Sequence, residues 1–157
     1  MSRFLGEFEC KIDAKGRIII PAGLRKQIPQ EAEERLVVNR GFERCLNLYP
    51  KNEWDLISTE VDKLSDYIEK ERRFKYYFNR GATELTVDSA SRILLPKKLL
   101  EYGNIKSEVV LFAHGNKIEI WNKDAYESLI TNEPEDFSML AEEVMGNRRK
   151  EGDDQIS

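Results

Sequence analysis

Asp13-Ala14-Lys15-Gly16-Arg17-Ile18-Ile19-Ile20-Pro21 opens with a turn and runs without a break into a β-branched strand. Asp13 can accept hydrogen bonds from backbone N–H groups further along, and Gly16 can take a positive φ at no Cβ cost. Three isoleucines favour a strand, and their run predicts burial on both faces, against another chain. Pro21 has no N–H for a ladder and suits the first turn of a helix. Before the turn, Phe8, Cys10 and Ile12 alternate with Glu7, Glu9 and Lys11, the period of a half-buried strand. The unit is therefore strand, turn, strand, short helix.

The same unit returns as Asp88-Ser89-Ala90-Ser91-Arg92-Ile93-Leu94-Leu95-Pro96. Asp13, Arg17 and Pro21 match Asp88, Arg92 and Pro96 at an offset of 75 residues; Gly41 matches Gly115 at 74; Leu46-Asn47-Leu48-Tyr49 matches Ile118-Glu119-Ile120-Trp121 at 72. Three matches in one order, with an offset that drifts as short loop deletions would make it drift, indicate a tandem pair rather than a solenoid. The reading is an α+β, β-rich fold of two pseudo-symmetric units with flanking helices. Residues 4–54 form the first unit, 55–80 a connecting helical segment, 81–130 the second unit, and 131–157 an acidic, flexible tail.

Between those units, apolar positions from Leu56 to Phe78 keep helical spacing, as a continuous or restarted helix. Its portion Lys70–Phe78 is basic and aromatic; it reads as an amphipathic helix, with a nucleic-acid stripe as the alternative. Gly41 is expected at positive φ in a turn between strands 36–38 and 45–49, and Gly103 is expected to end the helix 97–102. A short helix over 137–145 is expected in the tail.

The 157-residue chain is 40% hydrophobic and 34% charged, with a net charge of -4. That acidity is uneven. Residues 1–30 carry a local +3 and residues 131–157 a local -5, so a basic motif region remains compatible with phosphate contacts. Cys10 and Cys45 fit no disulfide framework or metal spacing and read as buried thiols. No stretch reads as a secretory or membrane-spanning segment, so a cytoplasmic protein is expected.

Chemistry for catalysis is thin. His114 is the single histidine and lies at a turn; no Gly-rich phosphate loop, CxxC or HExxH occurs. No catalytic residues, metal site, cofactor or small-molecule substrate are expected. Lys15 and Arg17 are two apart, so they can project from one face of a hairpin onto DNA, with Arg25 one helical turn beyond Pro21. The competing reading is a structural ion pair between Asp13 and Arg17 that locks the turn. Both can hold, with Asp13 orienting Arg17.

Asp13–Pro21 followed by Arg25 resembles the motif of the SpoVT-AbrB superfamily of bacterial DNA-binding proteins. With Phe4-Leu5-Gly6-Glu7, Tyr49-Pro50, Trp54, Gly81-Ala82-Thr83-Glu84 and Ile118-Glu119-Ile120-Trp121, residues 4 to 130 are similar to the MraZ family. The resemblance implies a double-split β-barrel of swapped hairpins. It implies a nucleoid-associated transcriptional regulator of the division and cell-wall gene cluster, binding short direct repeats in double-stranded promoter DNA as a ring-shaped homo-oligomer. It points to Lys15, Arg17, Arg25 and Arg92 as DNA contacts, with Asp13, Gly16 and Asp88 orienting the turns. The second copy departs from the pattern: Ser91 replaces the usual Gly, Ala90 a polar or basic residue, and Leu100 an Arg. The first copy is expected to make the stronger contact. The alternative function is a ring-forming scaffold that binds proteins through its tail.

Overall fold

The computed structural model describes residues 3–132 and 135–156. They fall into two compact units that divide after Lys123. In the first, β1 (Phe4–Lys11), β2 (Arg17–Ile19) and α1 (Ala22–Arg25) precede a 3₁₀ turn at Gln30–Ala32. Next come β3 (Arg35–Arg40), β4 (Leu46–Pro50), α2 (Lys51–Asp62) and α3 (Glu69–Asn79). Then β5 (Thr83–Thr86), β6 (Arg92–Leu94), α4 (Lys97–Tyr102), β7 (Glu108–Gly115) and β8 (Lys117–Asn122) repeat the order of the first four strands.

The two repeats do not fold side by side. The six-stranded antiparallel sheet has the order β1-β7-β8-β4-β3-β5, and exchanging the repeats simply reverses it. The first strand of each repeat pairs with the third strand of the other: Phe8 lies opposite Leu111 and Leu36 opposite Leu85. β4 and β8 meet at the centre, with Asn47 opposite Glu119 flanked by Leu46–Ile120 and Leu48–Ile118. β2 and β6 form a separate two-stranded ribbon with Ile18 opposite Ile93. A pseudo-two-fold axis therefore runs through Ile18/Ile93 and Asn47/Glu119. Exchange satisfies backbone groups that a lone repeat would leave as bare strand edges. The ladders make an open sheet plus a ribbon, with β1 and β5 as the sheet edges.

Period-two alternation decides what fills the core. Leu36, Val38, Leu46, Leu48, Val109, Leu111, Ile118 and Ile120 are all at most 2% exposed, and they form one cluster with Ile18 and Ile93 of the ribbon. The opposite faces of β3 and β4 carry Val37 and Tyr49 to a smaller cluster with Trp54 and Phe78. There Trp54 and Phe78 stack at 4.9 Å between ring centres, so the connector's aromatic stretch supplies part of a core.

Two local expectations change. The Ile18–Ile20 run is not buried on both faces. Ile18 and Ile20 point inward, while Ile19 is 60% exposed, because the ribbon has one face on the core and one in solvent. Gly41 does not have a positive φ. Glycine is required there for space, since a Cβ would stand 2.5 Å from Cys45 Sγ and 3.0 Å from Cys45 O. Gly103 caps α4 (Lys97–Tyr102) as expected, in a right-handed conformation, and the left-handed residue is the next one, Asn104, with φ 52°.

The connecting helix breaks after Asp62. Lys63 and Leu64 N–H groups bond three residues back, Ser65 Oγ accepts from Tyr67 N–H at 3.0 Å, and Glu71 accepts from Ser65 N–H at 3.1 Å. Such local side-chain bonds compete with a continuing helix. The second unit holds α5 (Lys123–Thr131) and α6 (Phe137–Ile156). The helix expected to end near Met145 thus continues to Ile156.

Candidate nucleic-acid interface

Each Asp-x-x-x-Arg turn is built around one carboxylate. Asp13 Oδ1 accepts from Lys15 N–H and Arg17 N–H, each at 2.9 Å, and Oδ2 accepts from Arg17 Nε at 2.8 Å. The backbone closes with Gly16 N–H donating to Asp13 O at 3.0 Å. The second turn repeats this bond for bond. Asp88 Oδ1 accepts from Ala90 and Arg92 N–H at 2.9 and 2.8 Å, and Oδ2 accepts from Arg92 Nε at 2.9 Å. The ion pair read from sequence is therefore present in both copies. It uses Nε only, and the Nη nitrogens of Arg17 and Arg92 have no partner among the described residues.

Gly16 sits at φ 88° and Ser91 at φ 61°. The replacement of glycine in the second copy has thus left the turn geometry unchanged and loaded a left-handed conformation onto a serine. Ser91→Gly should stabilise the fold by about 0.5–1 kcal/mol, the relief of left-handed strain less the extra entropy of an unfolded glycine. Gly16→Ser should cost more than that, because its Cβ would also press on Leu100 Cδ1 at 3.2 Å and Leu95 O at 3.3 Å. Urea denaturation of the two variants checks both signs.

Both turn carboxyls are held below the ordinary value of 3.8. The N–H of the following arginine is the largest cause, with further help from its guanidinium and from the N–H two residues on. A depressed folded pKa stabilises above the unfolded value and loses that contribution as pH falls through the folded one. The turns should therefore stay intact down to about pH 4 and open below it. In an NMR acid titration, the Lys15, Arg17, Ala90 and Arg92 amide signals should move together at a midpoint under 3.8. Midpoints at or above that value would refute the assignment.

The ribbon brings the two turns onto one surface. Arg17 is directly opposite Leu94, and Ile19 is directly opposite Arg92. Residues opposite each other share a face, so the outer face of the ribbon is a two-by-two array with arginines on one diagonal and aliphatics on the other. Ile18 and Ile93 hold the inner face in the core, at 0% and 2% exposure.

Strand exchange also relocates Arg25. Aligning the repeats makes Arg25 the counterpart of Leu100, yet Leu100 packs over Gly16 of the other repeat's turn. Arg25 correspondingly lies at the second turn. It is ion-paired with Glu34, whose carbonyl accepts from Val87 N–H at 2.9 Å, next to Asp88. In the other half, Ser107 O accepts from Ile12 N–H in the same way, so the Arg25–Glu34 pair is replaced by Leu100 and Ser107. Spacing from Pro21 alone could not reveal this placement, because the partner turn belongs to the other repeat.

The remaining reactive groups are engaged elsewhere. His114 Nε2 lies 2.7 Å from Glu119 Oε2, and its ring stacks on Phe112. Burial pushes the Cys10 thiol up to about 11 and the Cys45 thiol up to about 12, and both cysteines are free. Among the described residues no metal-sized group of His, Cys, Asp or Glu is gathered, and no helix is long and apolar enough to cross a membrane.

The family model described as MraZ protein matches residues 3–76 and again 78–148. Each match contains one complete Asp-x-x-x-Arg turn. The chain belongs to the MraZ family. Among its relatives, Transcriptional regulator MraZ of Flavobacterium psychrophilum is 40% identical over 148 residues, 94% of each chain. The protein of that name from Christiangramia forsetii is 39% identical, covering 94% of this chain and 96% of its own. That from Bacteroides thetaiotaomicron is 37% identical over 153 residues, 96% of this chain and 97% of its own. The family match extends to residue 148, beyond the 4–130 over which motifs are legible, and so takes in part of α6. The α+β, β-rich fold of tandem MraZ repeats holds, with the repeats interleaved through one sheet.

Proposed function

We propose that this MraZ-family chain is a transcriptional regulator, not an enzyme, and that it binds double-stranded DNA through the outer face of the β2–β6 ribbon. The observation that carries this reading is the pair of arginines on that face. Each is held through Nε by its own aspartate, and its Nη nitrogens have no partner among the described residues. A guanidinium fixed in this way loses less entropy on binding, and its Nη pair can form the two-pronged contact that guanine or phosphate accepts. A two-stranded ribbon fits the major groove. Lys15 adds a cation at the first turn, while Ala90 at the second adds none, so the first turn makes the stronger contact. Arg25 brings a guanidinium toward the second turn, where its ion pair with Glu34 offsets its charge.

One ribbon offers few contacts. A ring of copies on short direct repeats at the promoter of its own gene, within a division and cell-wall cluster, would multiply them through effective concentration. That arrangement also reconciles DNA binding with a net charge of -4, since only the ribbon face has to be positive. Footprinting the duplex directly upstream of the gene should show protection at evenly spaced segments. Affinity should fall with salt at a slope of about -0.9 per phosphate neutralised. Absence of protection at low salt would overturn the reading.

A second reading, a scaffold acting through the tail, draws on the exposed Phe137, Met139, Leu140, Val144 and Met145 of α6. Deleting residues 134–157 separates the two, because it should leave DNA binding intact if the ribbon alone carries it.

A further inference from the structure

The aliphatic diagonal of the ribbon face lies largely outside the core. Ile19 is 60% exposed and Leu94 57%, and each stands directly opposite an arginine. Scattered apolar residues on a surface are ordinary, but these two are related by the pseudo-two-fold axis and sit within the array that carries the cations. Divergence between the repeats has replaced Lys15 by Ala90, Gly16 by Ser91 and Arg25 by Leu100. The exposed position after Ile18 and Ile93 has stayed a large aliphatic in both copies.

What lies over this face must accept two cations and two aliphatic groups within an area of two strands, about 5 Å apart, by two residues. A second copy of the same face would bring arginine against arginine and is disfavoured by charge. The DNA major groove offers the matching set: guanine O6 and N7 or phosphate for the cations, and the thymine C5-methyl for the aliphatics. The minor groove of undistorted B-DNA is only about 6 Å wide and carries no methyl group.

We infer that Ile19 and Leu94 recognise thymine through its C5-methyl group, while Arg17 and Arg92 engage guanine or phosphate alongside. The inference rests on the DNA-binding reading above and adds the part of the sequence code that the arginines cannot supply.

Deoxyuridine tests it, because it removes the methyl group and keeps base pairing and backbone charge. The region upstream of the gene is amplified with dTTP or with dUTP, and an unrelated duplex of equal length serves as control. Wild-type protein should bind the uracil duplex about fourfold more weakly for each thymine methyl removed from beneath an aliphatic side chain. Ile19→Ser/Leu94→Ser protein should bind the thymine and uracil duplexes equally, at about the wild-type affinity for uracil DNA. It should keep its salt dependence, because the phosphate contacts are unchanged. Wild-type indifference to uracil overturns the inference on its own, whatever the variant does. A variant that still prefers thymine overturns it too, by assigning the preference to altered DNA stiffness. Loss of oligomer in light scattering with the thymine preference retained would make the face a contact between copies instead. Failure of wild-type protein to bind any of the duplexes would defeat the DNA-binding reading itself.

Discussion

With Arg17 and Arg92 both replaced by alanine, affinity for the upstream duplex should fall by about a hundredfold or more. A two-pronged arginine contact discriminates by about 1–3 kcal/mol, and two are removed in every chain. The fold should survive. Both side chains are at the surface, exposed ion pairs contribute little, and each aspartate keeps its two backbone N–H donors. The single variants should be unequal, with Arg17→Ala the more damaging because Lys15 flanks it where Ala90 flanks Arg92. Arg17→Lys should not restore binding, since lysine has neither an Nε for Asp13 nor a planar fork for the DNA. Fluorescence anisotropy on the upstream duplex, with circular dichroism and light scattering as controls, measures all of this. A folded double variant that binds like wild type would remove the arginines from the interface.

The largest stability loss is expected at the pseudo-two-fold axis. Ile18 is 0% exposed and Ile93 2%, and they face each other in the ribbon and join the main core. Ile18→Ala should cost about 2–5 kcal/mol, the loss of buried methyl groups plus the cavity they leave. That is a large share of the roughly 5–15 kcal/mol that a domain possesses. Symmetry gives a sharper test. Ile93→Ala should cost nearly the same, and the double variant less than the sum, because the two side chains share one site. Strictly additive losses in urea denaturation would contradict packing of the pair across the axis. The ribbon's outer face should also respond, since Arg17 and Arg92 are placed by the strands that these isoleucines hold down.

The arginines and the axial isoleucines occupy opposite faces of the same three-residue strands. Burial alternates along them as half-exposed, buried, exposed in both copies. A shift of one residue in the β2–β6 register would carry the arginines off the outer face and put isoleucine there. The proposed interface and the core are therefore not independent, and a variant that loosens the axis should weaken DNA binding without touching a residue of the ribbon's outer face.

The tandem units, the β-rich class, the Asp-x-x-x-Arg turns and their internal ion pairs are all legible in the order of residues. The turns rest on contacts between residues two to four apart, such as Asp13 with Lys15 and Arg17. At that range the residue types and the φ that each tolerates leave few arrangements. How the units combine is not legible there, because the β1–β7 and β3–β5 pairings join distant parts of the chain, and two similar repeats offer equivalent partners within and between copies. Folding in three dimensions selects exchange. It moves Arg25 to the other repeat's turn, turns Ile19 and Leu94 outward, and makes Gly41 a matter of space against Cys45 rather than of backbone conformation. The opening turn keeps the chemistry read from it, but the surface it serves is built from both repeats, since each ribbon strand finds its partner in the other copy.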